Sequence, residues 1–144
     1  VVIGAKQVNT VETDAMGKAF TEFAVQIWRT YKRLDYVYCD PDDNILLKSI
    51  KTASERRGLP GIVRFSIKAE LDDRIKLTAR LIAQNRLYIT DECQPLEQAL
   101  SSASWSDSRS GARNDSMDAS VLTAFEYTIE RYITRFLRSE AVKR

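Results

Sequence analysis

Tyr36-Val37-Tyr38-Cys39-Asp40-Pro41-Asp42-Asp43-Asn44 is the stretch on which the fold turns. Its first four residues are aromatic, β-branched or sulfur-bearing, the composition of a short buried strand. The strand has to stop at Asp40-Pro41, because proline has no N–H to give to a ladder. The aspartates and Asn44 suit the start of a helix, where side-chain oxygens accept from unpaired N–H groups and negative charge meets the positive end of the helix dipole. A strand that feeds a helix in this way is half of a crossover unit.

The flanking sequence repeats that unit. After Asn44 a helix turns Leu46, Leu47, Ile50 and Ala53 inward and ends near Gly58, with a turn at Leu59-Pro60-Gly61. Residues 62–67 read as the next strand, and Leu71, Ile75, Ala79 and Ile82 as the stripe of another helix. Leu87-Tyr88-Ile89 is a short strand, residues 95–100 a brief helix, and residues 101–113 a polar loop around Trp105. A last helix is expected over residues 116–137, with Val121, Leu122, Phe125, Ile129, Tyr132, Ile133 and Phe136 on its apolar face.

In the other direction, residues 18–32 form a helix with Phe20, Phe23, Ala24, Ile27, Trp28 and Tyr31 inward and Thr13 or Asp14 as its cap. Residues 1–8 read as a strand that enters a turn near Asn9-Thr10. Strand and helix thus alternate four times. This is the pattern of a single α/β domain with helices layered on a mainly parallel sheet.

Composition narrows the chemistry. The chain has 144 residues, 44% hydrophobic and 29% charged, enough to bury a real core without staples. No run approaches the ~18 apolar residues of a membrane span, and no signal or lipidation motif is present. Cys39 and Cys93 lack metal-ligand spacing and fit a reducing, intracellular setting. Histidine is absent, so any catalysis must rest on carboxylates, Lys, Ser, Tyr or Cys. No phosphate-binding GxxxxGK[ST] loop is encoded, so ATP hydrolysis is excluded. The net charge of +2 says little by itself. Its distribution says more: Arg56 and Arg57 end a helix, Arg109 and Arg113 sit in the Ser/Gly-rich loop, and Arg131, Arg135, Arg138, Lys143 and Arg144 crowd the C-terminus. Each cluster reads either as a solvated surface or as a contact for a polyanion. The opening Val1-Val2-Ile3-Gly4 starts inside an apolar run without Met, as expected of a piece cut from a longer chain.

Three places could hold chemistry. Asp40 closes a strand at its carboxyl end, the edge where open α/β sheets bind ligands; an Asp before Pro is also a common local turn device. Asp115 and Asp118 lie three apart at the start of the last helix and share a face. Either they complement the helix dipole, or Asp118, in register with Leu122, Phe125 and Ile129, points inward, where a carboxylate needs a partner or a metal. Converging, Asp40 and Asp118 would make a hard oxygen site for Mg²⁺ or Mn²⁺. Lys68, just past a strand, reads as an ordinary surface lysine or as a phosphate contact. Glu70, Asp72 and Asp73 form an acidic first helical turn.

Residues 36–41 resemble the strand that carries the second active-site acid in the nuclease domain of phage and viral large terminases. Ile67-Lys68-Ala69, then a helix and Arg86-Leu87-Tyr88-Ile89, resembles that family's next segment. Asn114-Asp115-Ser116-Met117-Asp118-Ala119, leading into a helix with Tyr127, is similar to its closing Asp-His-x-x-Asp-Ala motif. The resemblance spans nearly the whole chain and implies a ribonuclease H-like mixed sheet flanked by helices. It implies a two-metal endonuclease that cuts concatemeric double-stranded DNA during packaging in the host cytoplasm. Asp40, Asp115 and Asp118 are then metal ligands, with Asp115 standing where relatives often carry His. Lys68 is a basic catalytic position, and Lys68, Arg74, Arg109 and Arg113 contact DNA. The implied partners are the ATPase domain of the same polypeptide, the small terminase subunit and the portal protein. The family's first strand, with its leading metal-binding aspartate, has no counterpart, since residues 1–8 look like the following strand and contain no acid. Weak metal affinity of this piece alone is the expected consequence. Two other readings use the same fold: a non-catalytic docking module of the packaging motor, or another ribonuclease H-like nuclease such as a resolvase.

Overall fold

The structure, a computed structural model, describes residues 1–9, 12–103 and 119–137. It is a mixed α/β chain. In order, its elements are α1 (Thr13–Tyr31), β1 (Tyr36–Cys39), α2 (Asn44–Arg56), β2 (Ile62–Phe65), α3 (Leu71–Ala83), α4 (Gln94–Ser102), α5 (Ala119–Ile129) and α6 (Ile133–Leu137). Short 3-10 turns, Asp91–Cys93 and Glu130–Tyr132, precede α4 and α6. Among the described residues no helix is long and apolar enough to cross a membrane.

The chain divides into two compact units. One is Val8–Ser66. Here β1 and β2 pair in parallel, Tyr36 with Ile62 through Cys39 with Phe65, joined by the α2 crossover. Helix α1 packs along α2, and the two approach closely where Gly17 faces Ser49. A Cβ on Gly17 would lie 3.0 Å from Ser49 Oγ and 3.6 Å from the Ala53 methyl. Ser49 Oγ also donates to the carbonyl of Thr13 at 3.2 Å. Ala24, Cys39, Ile50 and Leu59 are buried, while Trp28 and Tyr31, expected inward, are 38% and 49% exposed. They sit in the last turn of α1, whose inward face is set by Gly17, Thr21 and Ala24.

The other unit comprises Val1–Gln7 and the described part of Ile67–Arg144. Cys93, Leu96, Ala99, Leu122 and Phe125 form its core, with Val2, Ala5, Leu87 and Ile89 packed against them. The strands expected over 1–8 and 87–89 reduce to one parallel bridge, Val2 with Ile89. Val2 N–H donates to Tyr88 at 2.7 Å and Thr90 N–H to Val2 at 3.1 Å, and the 3-10 turn at Asp91 leaves no room for a longer ladder.

Two further expectations are corrected. Helix α3 buries Arg74, Leu77 and Thr78, whereas Ala79 and Ile82 are exposed. A polar arginine and threonine hid the true inward face. The last helix is not continuous: α-geometry gives way to a 3-10 turn at Glu130 before α6, and Tyr132 is 43% exposed. The remainder of its expected start, residues 116–118, lies outside the described residues, as does most of the loop at 101–113.

Candidate functional site

Asp40 follows β1 at the carboxyl edge of the parallel pair, where Ser66 N–H still donates to the Cys39 carbonyl at 2.9 Å. It is half-buried. Its Oδ1 accepts from Asp42 N–H at 3.0 Å and its carbonyl from Asp43 N–H at 3.2 Å. Asp43 Oδ1 in turn accepts from Leu46 N–H at 2.8 Å and caps α2. The acidic run therefore divides its labour: Asp40 folds the turn, and Asp43 starts the helix. Burial, and then the negative charge of Asp43, push the neighbouring Cys39 thiol up to about 11, so it stays neutral at ordinary pH.

On the solvent side of the same strands, Arg64 lies over Tyr36 at 3.8 Å and near Tyr38 at 5.3 Å from the ring centroids. Its Nη2 donates to Tyr38 Oη at 3.4 Å. Tyr36 and Ile62 on this face are 42% and 59% exposed.

Lys68 is exposed and its backbone is left-handed, with φ 48°. The turn that bears it is gripped by a glutamate far along the chain. Glu130 Oε1 accepts from the N–H groups of Ile67 at 2.7 Å and Lys68 at 3.1 Å, and Oε2 from Ala69 at 3.0 Å. This capture ends the strand expected over 62–67 at Phe65, since the next backbone donors after Ser66 point to Glu130. Arg74 holds the turn from its carbonyl side: Nε donates to the Ala69 carbonyl at 3.0 Å, and Nη1 pairs with Glu126 Oε2 at 3.2 Å. Glu126 and Glu130 are 0% and 2% exposed, and Arg74 is 8% exposed.

Arg74, expected among the DNA-contacting residues, is an interior arginine engaged with Glu126. Asp115, Asp118, Arg109 and Arg113 lie outside the described residues. Glu126 and Glu130 were missed from sequence, although the signal was present. They continue the series Leu122, Glu126, Glu130 at intervals of four, so the register that puts Leu122 on the apolar face puts them there too.

Asp40 is a hard oxygen donor of the kind Mg²⁺ or Mn²⁺ takes. Among the described residues no three Cys, Asp or Glu side chains gather closely enough to hold a metal ion. The described part of the chain therefore offers one ligand of the expected set. Comparison with protein-family models, with curated proteins and with solved structures found no match.

Proposed function

We propose that this chain is a divalent-metal-dependent DNA endonuclease domain of ribonuclease H-like type, as in viral large terminases. The observation that supports this most is the parallel β1–α2–β2 crossover with Asp40 at its carboxyl edge. A strand's carboxyl edge is where such sheets present chemistry. Asp40, Asp118 and, less centrally, Asp115 would hold Mg²⁺ or Mn²⁺. Held there, such ions would supply an activated water and charge stabilisation for the oxygen that leaves the phosphodiester. Lys68, Arg109 and Arg113 contribute positive charge to backbone phosphates, which gives affinity with little sequence preference. The fitting partners are double-stranded DNA, the motor's ATPase domain, the small subunit and the portal, in the host cytoplasm.

The test is nicking of supercoiled plasmid in Mn²⁺ by the wild-type chain and by Asp40→Asn, Asp40→Ala and Asp118→Ala. The Asn variant keeps a side-chain oxygen for Asp42 N–H and so preserves the turn. All three variants should lose at least about 100-fold in rate, since a metal site contributes several kcal/mol to the transition state. Wild-type nicking by a folded Asp40→Asn would reject Asp40 as a ligand. A preference for branched over linear duplex would move the assignment to a resolvase.

A further inference from the structure

The turn at Lys68 has a left-handed backbone at a residue that is neither glycine nor a helix terminator. Lys32 and Asn85 also have positive φ, but both follow helices, where a left-handed residue is an ordinary terminator. Lys68 lies between β2 and α3. Glycine adopts such a backbone at no steric cost, whereas a lysine there is strained. The strain is held in place by three consecutive N–H groups closed on one buried carboxylate, with Arg74 locking the following carbonyl. Successive N–H groups around a left-handed residue form a concavity suited to an anion. Here the protein fills that concavity with its own Glu130. The arrangement keeps a strained backbone and a long cationic side chain at the same position, and residues held in such backbone regions cluster at functional sites.

We propose that Glu130 is a positioning residue that fixes the direction in which Lys68 leaves the backbone, so that its ammonium meets a DNA phosphate, with the Arg74–Glu126 pair bracing the same turn. This rests on the reading of the chain as a DNA-acting domain and extends it. Glu130, at 2% exposure, does not reach DNA itself; it acts through Lys68. Glu130→Gln is nearly isosteric but replaces one acceptor oxygen with an NH₂ group that faces N–H donors. The turn should relax toward ordinary φ and redirect the lysine.

The salt dependence of binding to a short duplex, followed by fluorescence anisotropy without divalent ions, reads out phosphate contacts. Loss of one contact lowers the slope of log K against log salt by about 0.9, which removes a factor of about 3–4 from the affinity change between 50 and 200 mM salt. Lys68→Ala should show this loss. Glu130→Gln should show the same loss, and the double variant no more than either single one. If Lys68→Ala leaves the slope unchanged, the DNA-binding reading of Lys68 falls and the inference with it. If Lys68→Ala flattens the slope but a folded Glu130→Gln keeps the wild-type value, or the two losses add, the positioning role alone is overturned. Circular dichroism and the urea midpoint establish folding. Should Glu130→Gln fail to fold, Glu130→Asp, which keeps the charge but is one methylene too short to span all three donors, stands in with the same outcomes.

Discussion

Arg74 and Glu126 show how a single pair decides the interior around α3 and α5. The two are nearly inaccessible and meet at 3.2 Å, with the guanidinium also 5.4 Å from the Tyr127 ring centroid. Removing one partner of such a pair strands the other charge away from water. Glu126→Leu or Arg74→Met should therefore cost about 3–5 kcal/mol. The double change Arg74→Met with Glu126→Leu should cost far less than the sum of the singles, because no orphan charge is left. Urea denaturation midpoints of the four proteins check this, and additive losses would show that the pair does not act as a unit. The residues also mark where reading the sequence fails. The stripe Leu71, Ile75, Ala79, Ile82 follows from counting only apolar residues, and it rotates α3 away from its true inward face at Arg74, Leu77 and Thr78. A buried ion pair is invisible to a pattern that scores both members as polar. Asp40 was legible because proline and the acids beside it act locally. For Glu130 the spacing showed an inward position but not what it binds, because its partners are backbone N–H groups more than sixty residues away.

The ends of β1 and α2 are the part of this chain that local sequence specifies best, whereas α1 starts at Thr13 with Glu12 before it and no side-chain cap from Thr13 or Asp14. β1 begins at Tyr36 and ends at Cys39, as its composition and Pro41 dictate, and α2 ends just before Gly58. Gly58 has φ 63°, and beyond it Leu59 N–H returns to the Ser54 carbonyl at 3.0 Å. A left-handed residue here lets the terminal carbonyls of α2 find donors before the chain turns into β2. Nothing lies within 4 Å of the place where a Cβ would be, so the cost of a side chain is purely one of backbone conformation. Gly58→Ala should lower stability by about 1–2 kcal/mol, whereas Gly58→Asn should lose less because Asn tolerates the left-handed region. Thermal midpoints in that order check the assignment, and an Ala variant as stable as wild type would contradict it. Strands that need distant partners were read less well. Residues 1–8 have the composition of a strand, yet their partner segment offers only Ile89 before the chain turns, so a single bridge forms. Strand length depends on what lies alongside, which a local window does not contain.

Burial is distributed unevenly along the molecule, and this sets an order of local stability. The largest fully buried side chains, Leu77, Leu96, Leu122, Glu126, Glu130, Thr78 and Cys93, all belong to the unit that includes α3, α4 and α5. In the Val8–Ser66 unit the buried side chains are smaller on the whole, and its sheet has only two strands. A two-stranded sheet is marginal by itself, and Tyr36, Ile62 and Phe65 are 42%, 59% and 37% exposed. The alternation of strand and helix was legible over this whole span because crossover units have local signatures; how little sheet they assemble was not, since ladder length is a property of the packed chain. Native-state hydrogen exchange should follow buried contacts and not secondary-structure type. Amides of α4 and the middle of α5 should exchange slowest, close to the limit of global unfolding. Those of β1 and β2 should open sooner, even though the two strands are paired in register over all four residues. Mass spectrometry of peptides spanning residues 94–102, 119–129, 36–39 and 62–65 gives the ranking. Strand peptides that outlast the α4 and α5 peptides would mean that the small parallel pair, and not the Leu96–Leu122–Phe125 cluster, is the most stable part of the molecule.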